Sequence, residues 1–164
     1  MNKNKLSAIY FALLCTAIMA SCGAPKQTSF GNFVAKMEVK EPITGVCDND
    51  NVIFMLPLSG NGQVAAKSPK TDAEIEADLN AKVLFLKDKT TYEDKGMVGL
   101  IINCKGEMVQ CQIDNKTKST ELDSQIVAVF AELKTWTAGN INGKPYDTSV
   151  LYSFTIKDGK ISLQ

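Results

Sequence analysis

Residues 150–157 alternate without a break. Val150, Tyr152, Phe154 and Ile156 fall on one side of an extended chain, and Leu151, Ser153, Thr155 and Lys157 on the other, because successive side chains of a strand face opposite ways. A strand that is greasy on one side has to be covered by a second layer. Two segments upstream have the helical spacing to supply it. Thr71-Asp72-Ala73-Glu74 has the form of a capping box and is followed by Ile75, Leu79, Val83 and Leu86. Thr120 and Asp123 form a second capping pair, opening a helix that carries Leu122, Ile126, Val129, Phe130 and Leu133 on one face.

Between the two helical segments lies a hairpin. Residues 97–102 are almost continuously apolar, as in a central strand. A turn at Lys105-Gly106 leads to a second, bulged strand with Met108, Cys111 and Ile113. Upstream, residues 52–56 form a short apolar run closed by Pro57, a strand or core-packing segment, and 56–70 reads as a long loop. Trp136 is expected as a packing anchor at the helix exit, because large aromatics dominate burial. Gly139 and Asn142-Gly143 mark turns, and Pro145 stiffens the approach to the last strand, 146–157. The expected class is α+β: a small antiparallel sheet with two helices on one face, in the order helix, strand, strand, helix, strand. With 164 residues, 45% of them hydrophobic and 22% charged, the chain has room for one such domain and some appendages.

The N-terminus reads as an address. Lys3 and Lys5 precede a mostly apolar run over residues 6–19, too short for a comfortable membrane span and suited to a signal-peptide core. Met19-Ala20-Ser21-Cys22 then resembles the bacterial lipobox, with methionine in place of the usual leucine. That resemblance implies a signal peptide over 1–21, cleavage before Cys22, and lipidation of the Cys22 thiol and the new amine. Several acyl chains hold a protein on a bilayer firmly, each buried methylene contributing about 0.8 kcal/mol. Gly23 follows the cysteine and no Asp does, which by resemblance to enterobacterial sorting favours the outer membrane, facing the periplasm. Residues 22–45 read as the lipidated N-terminus and a tether, and 46–164 as the domain.

Composition removes several chemistries. All 18 basic residues are lysine, and there is no histidine, so imidazole bases and guanidinium forks are missing. Nucleic-acid binding is not expected. A zinc site would need a fourth ligand beside Cys47, Cys104 and Cys111. Asp48-Asn49-Asp50-Asn51 starts like a calcium loop, but Ile53 and Ser59 stand where its glycine and glutamate belong. No metal, no cofactor, no catalytic residue and no enzymatic activity are expected. An exported chain can form a disulfide. The turn at 104–107 sets Cys104 opposite 107 and leaves Cys111 nearer 100, so a bond inside the hairpin is disfavoured; Cys47 with Cys104 comes first, Cys47 with Cys111 next. Three unpaired cysteines are the alternative.

The succession of elements resembles the C-terminal domain of TonB, the periplasmic protein that transmits inner-membrane energy to outer-membrane transporters. The residues that carry it are the strand at 98–102, the turn around Gly106, Glu121-Leu122-Asp123, Trp136 with Gly139, Asn142-Gly143-Lys144-Pro145, and the alternating strand to Ile156. The match spans 71–157. It departs from the family at Tyr92, which is followed by Glu93 and not by proline, and in having a lipobox and a proline-poor tether where TonB has a membrane helix and a long rod. The resemblance implies that the last strand is an edge, with Val150, Leu151, Tyr152, Ser153, Phe154, Thr155 and Ile156 pairing with a protein partner such as an outer-membrane transporter segment. A structural envelope lipoprotein that binds peptidoglycan or an assembly partner is the alternative.

Overall fold

A computed structural model describes residues 35–54 and 62–164. The elements along the chain are β1 (Ala35–Lys36), β2 (Ile53–Phe54), β3 (Gln63–Val64), α1 (Asp72–Lys82), β4 (Asp94–Ile102), β5 (Met108–Asn115), α2 (Thr120–Phe130), β6 (Asn140–Ile141), β7 (Lys144–Pro145), β8 (Thr148–Lys157) and β9 (Lys160–Leu163). The main sheet runs β1-β2-β8-β4-β5, with β9 also paired to β8; β3, β6 and β7 make a small second sheet. The class is α+β.

Register decides what becomes core. β4 and β8 are antiparallel with Val98 opposite Tyr152, Leu100 opposite Val150 and Ile102 opposite Thr148. On the other side of β4, Val98 meets Ile113 and Leu100 meets Cys111. The apolar sides of these strands therefore coincide, and both helices pack on that face: Ile75, Leu79, Leu122, Ile126 and Phe130 join Val98, Leu100, Ile102, Phe154 and Ile156 in one buried cluster. Full burial of each such side chain contributes about 1.5–3 kcal/mol. Trp136 closes one end of this core. Its indole Nε1–H donates to the Leu133 carbonyl, and its backbone N–H donates to the Gly106 carbonyl at 2.8 Å. Gly106 has φ +82°, and a Cβ there would lie 2.3 Å from the Trp136 carbonyl oxygen.

The helices start where local chemistry permits. At α1 the Thr71 hydroxyl accepts from the Glu74 N–H while Glu74 Oε2 accepts from the Thr71 N–H at 2.8 Å, so two orphan amides are satisfied reciprocally. α2 differs from the expected Thr120 cap. Its N-cap is Ser119, whose hydroxyl accepts from the Leu122 N–H, while Asp123 Oδ1 accepts from the N–H and hydroxyl of Thr117 in the preceding turn. Of two consecutive hydroxyls, that of Ser119 takes the cap, and Asp123 holds the segment before it through Thr117.

Three expectations about strand neighbours are corrected. The sheet is mixed and not purely antiparallel, because β2 joins β8 in parallel, Ile53 beside Thr148 and Phe54 beside Ser149. Residues 35–45, expected as tether, belong to the folded unit: β1 pairs with β2, and residues 37–43 lie over the sheet face opposite the helices. Most consequentially, the strand at 150–156 is an open edge only in part: the described residues supply a neighbour on the side away from β4 at 153–156 and none at 150–152. β4 lines one side of β8 throughout; on the other side β2 lies at its start and β9 at its end, Phe154 opposite Leu163 and Ile156 opposite Ile161. The physical reason is the turn at Asp158 (φ 53°) and Gly159 (φ 71°), a two-residue hairpin connection that folds the chain's last residues back.

β9 is in turn shielded by α1. Asn80 Nδ2 donates to the Ile161 carbonyl at 2.7 Å, Asn80 Oδ1 accepts from the Ile161 N–H at 2.9 Å, and Glu76 Oε2 accepts from the Leu163 N–H at 3.0 Å. A side-chain amide thus offers the donor and acceptor that a further strand would supply. Replacing Asn80 by alanine should lower stability by about 1–2 kcal/mol and speed exchange of the Ile161 amide, as measured by denaturant unfolding and hydrogen exchange.

Candidate functional site

A buried carboxylate with several hydrogen bonds, Asp147, is 2% exposed and stands immediately before β8. Its Oδ1 accepts from the N–H groups of Cys47 (3.0 Å) and Cys104 (2.9 Å), and its Oδ2 from those of Cys47 (2.9 Å) and Asp48 (2.7 Å). Its own carbonyl accepts from the Ile53 N–H at 2.8 Å. Hydrogen bonds to an ionised acceptor are roughly twice as strong as neutral ones, which is how a carboxylate that forms no ion pair among the described residues sits in the interior. The two cysteines it gathers are joined: Cys47 and Cys104 form a disulfide with a Cα–Cα distance of 6.1 Å across 57 residues of sequence. In the chain-entropy picture a loop of that length is worth about 4 kcal/mol.

Asn103 completes the clasp. It is 1% exposed; its Nδ2 donates to the Gly45 carbonyl (2.9 Å) and to Glu107 Oε2 (2.8 Å), and its Oδ1 accepts from the N–H groups of Lys105 and Glu107. The β4–β5 turn, the segment at 45–48 and the entry to β8 are thereby tied at one point. Ligating atoms of Cys47, Cys104 and Asp147 lie within 4.8 Å of one another, but in the disulfide neither sulfur is a thiolate, the form that ligates metal. The arrangement as it stands is a mechanical joint.

The other expected residues are dispersed. Cys22 lies outside the described residues. Residues 150–156 are in β8, with Phe154 and Ile156 buried in the core and Leu151 exposed on the opposite face. Asp48 caps a single 3-10 turn over Asn49–Asn51, accepting from the Asp50 N–H, so the acidic stretch is a turn. Cys111 is unpaired and half-buried; burial pushes its thiol up to about 11, leaving it a poor nucleophile at neutral pH. On the sheet face away from the helices, residues 37–43 and the side chains of Ile101, Gln110, Gln112, Asp114, Ser149 and Leu151 enclose a groove of about 460 Å3.

Among the described strands, β5 has one side open along its length and pairs with β4 alone. Its start is closed by the Met108 N–H donating to the Lys134 carbonyl, and it carries no Lys or Pro from Met108 to Asn115, the residues that commonly blunt an edge. Register shifts fall at both of its ends. The neighbours of β8 are hard to read from the sequence because pairing is non-local: nothing near 150–156 announces β2. For β9 a signal did exist, Asp158-Gly159 between Ile156 and Ile161. Asp147 gave none, since its amide partners come from positions 43, 99 and 100 residues upstream.

Two substitutions probe the joint. Asp147→Asn should cost about 2–4 kcal/mol in denaturant unfolding, because the amide replaces one carboxylate oxygen by a donor that faces two N–H groups and removes the charge from the other bonds. Next to it, Thr148 is fully buried and its hydroxyl has no partner among the described residues. Thr148→Val should therefore leave stability unchanged or raise it by about 1 kcal/mol. A lower unfolding midpoint for that variant would show that the hydroxyl is satisfied. No protein-family model matches the chain, and no curated protein or solved structure matches it either.

Proposed function

We propose that this chain is a lipid-anchored protein of the bacterial cell envelope whose domain is a protein-interaction module, an accessory of outer-membrane transport that takes up an extended partner segment by strand pairing. The anchor is Cys22, at the end of the lipobox-like stretch. The succession α1, β4, β5, α2, β8 supports the resemblance to the C-terminal domain of TonB. The single observation that carries the binding mode is the one-sided pairing of β5.

The pairing surface differs from the one that the resemblance alone suggests. β8 has β2 and β9 on its far side at 148–149 and 154–157, which leaves too short a stretch for a partner strand, so that strand is assigned to β5, from Val109 to Asn115. Each main-chain hydrogen bond formed there contributes about 1 kcal/mol net, and the side chains flanking the edge select the partner. Helix α2 supports β5 from behind: the Cys111 thiol lies 3.8 Å from the Val127 carbonyl. Such a backed edge needs little rearrangement to accept a strand, which favours binding by cutting its entropic cost. The reading assigns no catalytic role to any residue.

The test is hydrogen exchange of the full chain with synthetic peptides from the periplasmic segments of outer-membrane transporters. Binding should slow exchange at 109–115 and leave β8 unaffected, and Val109→Lys should weaken it at least several-fold. Peptide binding that protects other residues would remove β5 from the proposal. Retention on isolated cell-wall sacculi, with no peptide bound, would replace it with the structural, peptidoglycan-binding reading.

A further inference from the structure

Residues 38–50 form a strap that leaves the sheet after β1, crosses the face opposite the helices and returns at β2. Its foot is secure: Val52 and Ile53 are 0% and 2% exposed, and Ile53 is paired with Thr148. Its middle is not. Glu38, Val39, Lys40, Glu41 and Pro42 make no hydrogen bond to another described residue. Beyond them every polar attachment of the strap to the rest of the domain converges on one place: Gly45 on Asn103, Cys47 and Asp48 on Asp147, and the disulfide from Cys47 to Cys104.

The two halves of that disulfide are unequal. Cys104 sits in the tight β4–β5 turn, fixed by Asn103 and by the Gly106 N–H donating to the Asn103 carbonyl at 2.9 Å. Cys47 is on the strap and exposed to solvent. A reductant therefore reaches the bond from the strap side, and the sulfur that is free to move is that of Cys47.

We propose that the Cys47–Cys104 disulfide is a redox latch: its reduction releases the strap from the outer face of the sheet while the helix-side core stays folded. The reductant is a dithiol. Its thiolate attacks Cys47 Sγ, the S–S bond breaks, and Cys104 leaves and takes up a proton; the second thiol then resolves the mixed disulfide, giving Cys47 as a thiol and the reductant as its cyclic disulfide. Two thiols cannot remain at bonding distance, so the sulfurs separate, and the strap moves because the turn does not. Asp147 then keeps the Cys104 amide and loses its hold on Cys47 and Asp48. Ile101, which is 4% exposed beneath the strap, comes into solvent beside Leu151, which is already exposed, and the two form one apolar patch of the sheet.

The inference concerns the strap alone and needs no partner at β5. It is tested by hydrogen exchange on the full chain, oxidised and in dithiothreitol, with the Cys47→Ser/Cys104→Ser double variant measured without reductant. Reduction should speed exchange of the Cys47 and Asp48 amides at least tenfold, with amides of Leu100, Ile126 and Phe154 unchanged, and the double variant should match the reduced protein. Unchanged exchange at Cys47 and Asp48 would show that Asp147 and Asn103 hold the strap unaided and would overturn the proposal. Loss of protection throughout the core would overturn it as well, making the disulfide a staple of the whole fold.

Discussion

The antiparallel ladder between β4 and β8 is the constraint on which the remaining architecture rests. Nine residue pairs join them, from Asp94 with Ile156 to Ile102 with Thr148. This register superimposes the apolar side of one strand on that of the other. A slip by one residue would turn Val98, Leu100 and Ile102 toward the side opposite Tyr152 and Phe154 and leave neither helix a coherent floor. Everything else attaches to this ladder: β5 extends it beyond β4, β2 and β9 share the far side of β8, and the two helices cover the face it creates.

What could be read from the sequence was what is encoded locally. Thr71 and Glu74 lie in one turn, so the start of α1 is visible in four letters. The alternation at 150–157 and the Asn142-Gly143 turn, where Asn142 has φ 51° and Gly143 φ 80°, are equally self-contained. Ser119 and Thr120 are both able to cap in the sequence, because neighbouring hydroxyls carry the same local signal. The neighbours of β8 were illegible for a stronger reason: whether a strand is an edge depends on segments elsewhere in the chain, here residues 53–54 and 160–163.

The candidate site divides in the same way. The turn at 103–107 could be reasoned about from the hairpin, and the structure joins Cys47 to Cys104, the pairing which that reasoning put first. Asp147 could not be found, because an aspartate after Pro145-Tyr146 reads as a loop residue until its distant amide partners are known. Its burial is made tolerable by backbone N–H groups and by no opposite charge, an arrangement that a chain without arginine or histidine can build from ordinary loops.

The Asn80 clasp on Ile161 bears on how copies of this chain can associate. Open-ended filaments of sheet require each molecule to present two free edges, one to receive and one to be received. Here β9 is saturated by a side chain that imitates a neighbouring strand, and β1 is only two residues long. β5 alone remains long and open among the described strands, and two copies meeting edge to edge there would use each other up. Through the described strands sheet growth therefore terminates at a pair, so many copies of this domain can crowd together without these edges seeding a fibre.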